Sequence, residues 1–389
     1  MGFRLEDFYD EERGKGSFRE KYQQCVDNPE LSRIEIPAIE LHSRVMRSQL
    51  EAATPFTFFR DEVNRMNPNK HEGMIYSSNL CTEIAQNMSA TNQQEEYINE
   101  DGDVIIVRKP GDFVVCNLFS LNLPEIHKHD VLKEATRIGI WVLDETIELN
   151  KLPVKQAEVT NKRYRALGLG ALGWDHLRVL KGIEWESEEA VELTDKIFEE
   201  IAYEGIKASA KKAKERGAYP LFKGSDWHTG DYFRKRGYLD GKNKEKWTEL
   251  MHFVQENGLR NAYLFAIAPN STTSHIMGTT ASIDPSFKRE YVAERGPYRI
   301  NTVAPDITGE NYSLYADAAN AVDQFWSIKQ NIARQRHIDQ AISFNLYVPN
   351  TIPAKVLLQL FTDAWEGGMK TMYYTTSTGV QTTCEWCHA

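Results

Sequence analysis

Short apolar segments alternate with helical segments of ten or more residues along this 389-residue chain, and this alternation is what most constrains its fold. Helix-start and helix-end signals predict the helices, and apolar runs between turn residues predict the strands. The predicted helices cover Pro37–Ala53, Asp130–Leu149, Ser187–Gly217 and Pro353–Gly368, and residues 1–35 are expected to be helical. The predicted strands cover Val104–Val107, Phe113–Val115, Tyr263–Ile267 and Lys370–Tyr374. This order favours an α/β protein with largely parallel strands.

The composition excludes several classes of protein. Hydrophobic residues make up 41% of the chain, which is enough for a large core. No apolar run reaches the roughly 18 residues that a membrane span needs. The formal net charge of −10 disfavours a nucleic-acid backbone as the main partner. No signal peptide is visible, and five cysteines do not make a secreted disulfide framework. We therefore expect a cytoplasmic protein that binds neither membranes nor nucleic acids.

Asn79, Cys81 and Glu83 form the most informative cluster of chemical groups in the sequence. In an extended finger, side chains two residues apart point to one face, so the three groups could converge on one small molecule. The cysteine could act as nucleophile or radical centre, the carboxylate as base, and the amide as a hydrogen-bonding group that orients the ligand. Taken alone, the cluster is also compatible with a buried, inert cysteine.

Three further cysteines extend this chemistry. Cys116 follows an apolar run and is interpreted either as a core residue or as a second thiol facing Cys81. Cys384 and Cys387 lie close to the C-terminus, where a dithiol on a flexible tail suits thiol–disulfide exchange. A structural zinc site would need four ligands and only His388 is adjacent, so we predict no metal in this chain.

Two other segments carry candidate functional groups. Tyr373 and Tyr374 are either ordinary aromatic residues of a strand or a pair of phenols that relays a radical. A turn rich in hydroxyl groups follows the predicted strand Tyr263–Ile267, and such a turn can bind phosphate or simply form a polar loop. The turn consists of Pro269, Asn270, Ser271, Thr272, Thr273 and Ser274.

Gly168, Gly170 and Gly173 match the G-x-G-x-x-G pattern of dinucleotide-binding proteins. That motif requires a strand, a turn and a helix in this order. The preceding residues, Lys162–Leu167, do not form a clear apolar strand. Close helix packing is therefore the favoured explanation, and a dinucleotide-dependent oxidoreductase is the weakest of the alternatives.

Taken together, these motifs resemble the large, catalytic subunit of ribonucleotide reductase. The resemblance covers nearly the whole chain, but only the C-terminal half of the family's usual chain. It rests on segments that occur in the family's order: Asn79-Leu-Cys81-Thr-Glu83, Cys116-Asn-Leu-Phe-Ser, Arg165-Ala-Leu-Gly-Leu-Gly170, Pro269–Ser274, Arg334-Gln-Arg-His-Ile-Asp, Tyr373-Tyr374 and the pair Cys384 and Cys387.

The resemblance implies a fold and a division into two parts. Residues 1–374 would form the C-terminal half of a ten-stranded α/β barrel, with a finger loop around residues 77–85 inside it. Residues 375–389 would form a mobile redox tail. The resemblance also implies that deoxyribonucleotides are made from ribonucleotides by radical chemistry. Enclosing a thiyl radical inside a barrel would protect it from water and from side reactions.

The resemblance further implies a role for each candidate residue. Cys81 would become a thiyl radical and remove the 3′ hydrogen of the ribose, while Glu83 would take the proton of the 3′-hydroxyl group. Asn79 would hold the substrate, and Cys116 would supply reducing equivalents together with a second thiol. Cys384 and Cys387 would reduce the resulting disulfide, and the turn at 269–274 would bind the substrate phosphates.

The tyrosine pair implies a class I enzyme, in which a separate small subunit generates the radical. The expected partners are that subunit, thioredoxin or glutaredoxin, and the ribonucleotide. This chain would hold no cofactor, because the metal-dependent radical cofactor belongs to the small subunit.

One departure from the family pattern concerns the second reducing cysteine, which in the family lies on an early strand. The only spare thiol here is Cys25, in a segment that predicts a charged helix. We therefore expect a complementing N-terminal half on another polypeptide, as for a split gene or a fragment. The alternative is an inactive chain that serves only in assembly.

Overall fold

A computed structural model of the chain describes residues 2–295, 298–318 and 322–378. A short 3-10 helix covers Leu5–Asp7. The α-helices within these ranges are α1 (Ser17–Asp27), α2 (Ala38–Ala52), α3 (Arg60–Arg65), α4 (Leu123–His129), α5 (Leu132–Leu149), α6 (Lys155–Tyr164), α7 (Trp174–Leu180), α8 (Glu188–Arg216), α9 (Asp226–Thr229), α10 (Asp231–Lys235), α11 (Lys244–Asn257), α12 (Ser271–Ile276), α13 (Gln324–Gln335) and α14 (Ala354–Glu366). The strands are β1 (Thr57–Phe58), β2 (Asn92–Ile98), β3 (Val104–Lys109), β4 (Leu118–Asn122), β5 (Gly168–Leu172), β6 (Glu290–Arg295), β7 (Tyr298–Val303), β8 (Leu346–Pro349), β9 (Thr371–Met372) and β10 (Thr375–Thr378).

Two of the five strand pairs in the described residues are parallel and three are antiparallel, so the prediction of largely parallel strands is correct only in part. β4 pairs with β5, and β8 pairs with β10, both in parallel register. Single parallel bridges connect Leu169 with Phe265 and Ile267 with Ile342. The α/β class is therefore confirmed. The described residues form two-stranded sheets that do not close into a barrel, and the ten strands of a complete barrel stay a prediction.

Helices pack around these strands and bury the hydrophobic core between them. The segment at 263–267, predicted as a short strand, is fully buried and connects its neighbours through bridges rather than a continuous ladder. The long helix α8 packs against α5, α11 and α13. Its start agrees with prediction, because the Ser187 hydroxyl accepts a hydrogen bond from the amide of Ala190 (3.1 Å), and Gly217 follows its last residue.

The glycine run is explained by close packing, chiefly between strands. Gly168, Gly170 and the residues between them lie in β5, which is buried along its whole length. A Cβ atom on Gly170 would lie 2.4 Å from the carbonyl oxygen of Ala266. Gly173 follows the strand with a φ of +82°. The backbone of β5 therefore fills the space in which a dinucleotide-binding turn would have to open, so the G-x-G-x-x-G pattern does not indicate a cofactor site here.

Several predicted elements need correction. Asp130 does not begin α5; it ends α4 in the left-handed conformation, and Val131 precedes the new helix. The apolar segment 113–115 is not a strand, and β3 instead pairs with β2, whose polar sequence gave no strand signal. Among the described residues 2–35, only α1 and the 3-10 turn are helical.

The C-terminal end of the structure also differs from prediction. Instead of one strand at 370–374, two short strands, β9 and β10, flank the tyrosine pair. β9 pairs with β1 in antiparallel register, whereas β10 occupies residues that we assigned to the tail. None of the helices in the described part of the chain is long and apolar enough to cross a membrane.

Candidate active site

The loop that carries Cys81 is a tight turn, not the extended finger that the sequence suggested. The amide of Thr82 donates to the carbonyl oxygen of Asn79 (3.2 Å), and Thr82 has a φ of +67°. The side-chain oxygen of Asn79 accepts a hydrogen bond from the amide of Ile84 (3.0 Å). The amide of Ala341 donates to the carbonyl oxygen of Glu83 (3.0 Å) and holds the turn against a central segment. Alternation along a strand therefore does not explain how the three side chains meet.

Cys81 lies beside the tyrosine pair, although about 290 residues separate them in sequence. The phenol of Tyr373 donates to the sulfur of Cys81 across 3.7 Å. The rings of Tyr373 and Tyr374 contact each other in a tilted arrangement, with their centroids 4.1 Å apart. Burial raises the pKa of the Cys81 thiol and also the pKa of Tyr373. Both groups therefore keep their hydrogen at neutral pH.

Cys116 lies on the other side of the turn and contacts Asn79. The side-chain amide of Asn79 donates to the sulfur of Cys116 across 3.7 Å. Desolvation, followed by the charge of Glu83, raises the pKa of the Cys116 thiol, and Cys81 adds to the same effect. Neither Cys81 nor Cys116 forms a disulfide. The two thiols, one half-buried and one exposed, therefore flank a shared carboxylate.

Glu83 is the buried acid of this cluster and is only 2% exposed. One of its carboxylate oxygens, Oε2, has no hydrogen-bond partner among the described residues. Burial raises the pKa of Glu83, and a hydrogen bond with Asn79 opposes that rise. A carboxylate with this environment ionises closer to neutral pH, which suits a group that must accept a proton from a substrate.

The sequence did not indicate Phe56 as part of the site. Its ring lies 4.6 Å from that of Tyr373 and 5.0 Å from that of Tyr374, centroid to centroid. Phe56 also lines a cavity of about 340 Å³ beside the turn, together with Tyr76 and Leu80. Only the folded chain brings this segment next to the tyrosines, so no local sequence signal could have identified it.

The segment 269–274, predicted as a turn, follows the buried segment 263–268, but only Pro269 and Asn270 precede a helix; residues 271–274 form the start of α12. Asn270 adopts the left-handed conformation, and Ser274 donates to the carbonyl oxygen of Ser271 (2.8 Å). Thr272 and Thr273 are exposed. The amide of Thr279 donates to the carbonyl oxygen of Ser274 (3.0 Å), and the side chain of Asn270 donates to the carbonyl oxygen of Ala268 (2.9 Å). These hydrogen bonds anchor the segment without connecting it to Cys81.

The other predicted cysteines are not part of the observed cluster. Cys25 lies in α1, as the charged-helix prediction required. Cys384 and Cys387 lie outside the described residues. In the described part of the chain, no group of three or more His, Cys, Asp or Glu side chains is arranged to hold a metal ion.

Comparison with known proteins agrees with this arrangement. The family model described as "Ribonucleotide reductase, barrel domain" matches residues 3–375. The chain is 47% identical over 392 residues to a protein of Treponema pallidum named ribonucleoside-diphosphate reductase subunit alpha, covering 99% of this chain and 45% of the relative. A relative of the same name in Helicobacter pylori strain J99 is 32% identical, and the match covers 92% of this chain and 51% of the relative. A relative of the same name in Synechocystis is 33% identical, and the match covers 96% of this chain and 47% of the relative.

The chain thus spans about half the length of the curated relatives that it matches. The family match nevertheless covers nearly all of the chain, from the N-terminal helices to the first residue of β10. It includes every residue of the cluster around Cys81. The chain therefore belongs to the ribonucleotide reductase family, in which it matches the barrel domain of the alpha subunit.

Proposed function

We propose that this chain supplies the radical-bearing part of a ribonucleoside-diphosphate reductase active site. One observation carries the proposal: the fold brings Cys81, Glu83, Asn79, Cys116 and Tyr373 together from three distant segments of the chain. Family membership indicates the reaction. Diphosphates are the proposed substrates, because the relatives are named as diphosphate reductases.

In the proposed reaction, Tyr374 and Tyr373 pass a radical to Cys81. The thiyl radical of Cys81 removes the hydrogen atom at the ribose 3′ carbon, and Glu83 accepts the proton of the 3′-hydroxyl group. The 2′-hydroxyl group leaves as water with a proton from Cys116 or its partner thiol. The second thiol supplies the hydrogen of the new C2′–H bond, and the two sulfurs join as a disulfide while their remaining electron reduces the 3′ carbonyl group. Glu83 returns its proton to the 3′ oxygen, and Cys81 finally returns its hydrogen atom to the 3′ carbon, which regenerates the thiyl radical.

The environment of each group supports its role. Hydrogen-atom transfer requires an S–H and an O–H bond, and burial keeps both Cys81 and Tyr373 protonated. Because burial raises the pKa of Glu83 toward neutral pH, its carboxylate binds a proton more readily there, as a general base needs. Asn79 touches Cys116 and shapes the turn, so it is placed to orient a substrate between the two thiols.

The remaining parts of the proposal concern binding and partners. The turn at 269–274 binds the substrate phosphates through backbone amides and hydroxyl groups. Cys384 and Cys387 carry electrons from thioredoxin or glutaredoxin to the disulfide of Cys116. A separate small subunit holds the metal-dependent radical cofactor.

The second reducing thiol and the rest of the barrel are proposed to come from a complementing N-terminal half. Cys25 is a poor candidate for the partner of Cys116, because it lies in a peripheral helix, α1. A disulfide requires Cα atoms no more than about 7 Å apart. The complementing half would also cover the open edge of the parallel strands.

Reconstitution tests this proposal. We expect the purified chain alone to form no deoxynucleotide. It should form deoxynucleotide when three components are added: the N-terminal half of an alpha subunit similar in sequence to this chain, a matching small subunit and a dithiol. Omitting this chain from the mixture is the control. If the complete mixture reduces no ribonucleotide although all chains are folded and associated, the chain is an inactive assembly piece and the proposal is wrong.

A further inference from the structure

A second cavity, of about 380 Å³, lies away from the cluster around Cys81 and shares no lining residue with the cavity beside the turn. It is bounded by α3, α8, α13, the end of α10 and the turn between α14 and β9. Charged side chains dominate its lining, and basic ones outnumber acidic ones. They are Lys235, Arg236, Arg336, Lys370, Glu62 and Asp195.

The two acidic residues already have cationic partners. Glu62 forms an ion pair of 2.8 Å with Arg65, a residue of the same helix. Asp195 forms a hydrogen bond of 2.9 Å with His337, while Arg336 remains 3.9 Å from the same carboxylate oxygen. Lys235 also has an acidic partner, Asp226 (2.5 Å), which lies outside the cavity lining. The two cations without an ion pair among the described residues are therefore Arg236 and Lys370.

Arg236 is the most telling of the basic residues. It is only 4% exposed, and its Nε and Nη2 atoms have no hydrogen-bond partner among the described residues. Its guanidinium group lies 3.7 Å from the ring centroid of Tyr232, so one face is held against an aromatic ring. Buried charges in proteins are normally paired and hydrogen-bonded. A buried guanidinium group with two nitrogen atoms that lack hydrogen-bond partners is therefore well suited to bind an anion.

Lys370 places a second buried cation at the same cavity. It is 2% exposed, and its ammonium group donates to the carbonyl oxygen of Asp339 (2.5 Å). The carboxylate of Asp339 accepts hydrogen bonds from the amides of Leu264 and Phe265, and its negative charge also acts on Arg236 and Lys370. Burial, followed by the charge of Arg236, lowers the pKa of Lys370. The charge of Asp339 opposes the effect of Arg236 only in part, and an anion between the two cations would relieve the remaining repulsion.

We propose that this cavity binds a small molecule through a phosphate group, which Arg236 and Lys370 hold from the inside. Arg336, which is partly exposed and lies 3.9 Å from Asp195, attracts the anion at the rim. Arginine suits the role because its planar fork of donors matches the oxygens of a phosphate. The volume exceeds that of a bare phosphate ion and lies at the lower end of small-molecule sites, roughly 300–1,000 Å³.

Titration calorimetry with inorganic phosphate and with pyrophosphate tests the site on the full chain. Arg336→Gln changes a partly exposed rim residue and is expected to weaken binding about tenfold, as for the loss of a hydrogen bond to a charged group. Lys329→Gln is the matched control, because it removes one positive charge from α13, the helix that ends directly before Arg336, at a position outside the cavity. Arg236→Lys keeps the positive charge but removes the planar pair of guanidinium donors. It should therefore weaken phosphate binding, while circular dichroism shows an unchanged fold.

The proposed substrate turn at 269–274 could also bind phosphate, so a third variant separates the two sites. Thr272→Ala changes an exposed residue of that turn and should leave phosphate binding to the cavity unchanged. The inference fails if phosphate does not bind, if Lys329→Gln weakens binding as much as Arg336→Gln, or if only Thr272→Ala weakens it. None of these outcomes depends on reductase activity.

Discussion

Replacing Glu83 by Gln should make the protein more stable while removing its proposed function. Glu83 is 2% exposed, and its Oε2 atom lacks a hydrogen-bond partner among the described residues. An unsatisfied buried polar group costs about 1–3 kcal/mol, more when it is charged. The amide of Gln is neutral and avoids the charge, although it still buries polar atoms. We therefore expect the free energy of unfolding at neutral pH to rise by about 1–2 kcal/mol.

The pH dependence of this gain follows from the raised pKa of Glu83. An unfolded glutamate has a pKa of about 4.3, and below that pH the carboxyl group is protonated in both states and carries no penalty. As the pH rises above this value, the unfolded chain ionises first, so the folded wild-type protein loses stability. The loss is complete once the pH exceeds the folded pKa. The advantage of Glu83→Gln should therefore grow from about pH 4 toward neutrality.

Urea unfolding measured at several pH values tests this expectation, since for a chain of this length 1 kcal/mol shifts the melting temperature by only roughly 1 °C. Glu100→Gln is the matched control, because Glu100 is exposed in the β2–β3 turn. Its stability should stay within about 0.5 kcal/mol of wild type at every pH. A Glu83→Gln variant that is no more stable than wild type, or whose gain does not vary with pH, would refute the reasoning.

Three further predictions concern the relay, the tail and the packing of the strands. Tyr373→Phe and Tyr374→Phe should each reduce turnover of the reconstituted enzyme to below about 1% yet preserve substrate binding, because a relay needs the phenol O–H and packing does not; normal turnover in both variants would contradict the relay. Replacing both Cys384 and Cys387 by Ser should stop repeated turnover with thioredoxin but leave partial activity with a small dithiol, and full activity with thioredoxin would show that these thiols are incidental. Gly170→Ala should destabilise the fold by about 1–3 kcal/mol in urea unfolding, because its Cβ would meet a carbonyl oxygen at 2.4 Å; an unchanged midpoint would show that β5 can move apart from its neighbour.

The sequence predicted the elements whose signals are local. The ends of α8 and α14 follow from a capping serine, a proline and glycines at the expected positions. Local signals failed where tertiary contacts decide the conformation. β2 is exposed along its length, begins with five polar residues and forms because it pairs with β3. Asp130 ends one helix where its residue type suggested the start of the next.

The candidate site shows the same division. Residue types and order identified Cys81, Glu83 and Cys116 as a group, and the structure does bring them together. The reason for their meeting was not predicted correctly, because a turn stabilised by Asn79 replaces the expected extended finger. Phe56 and the cavity around Arg236 could not be found from sequence, since both depend on segments that meet only after folding.

Substitution of Cys81 tests the central claim most directly. In the complete reconstituted mixture, Cys81→Ser should abolish deoxynucleotide formation, because an O–H bond is too strong to replace S–H in hydrogen-atom abstraction. Circular dichroism and urea unfolding should show an intact fold, because serine preserves the size of the side chain in the turn. Turnover by the serine variant above a few per cent of the wild-type rate would contradict the assignment of Cys81 as the radical-bearing residue.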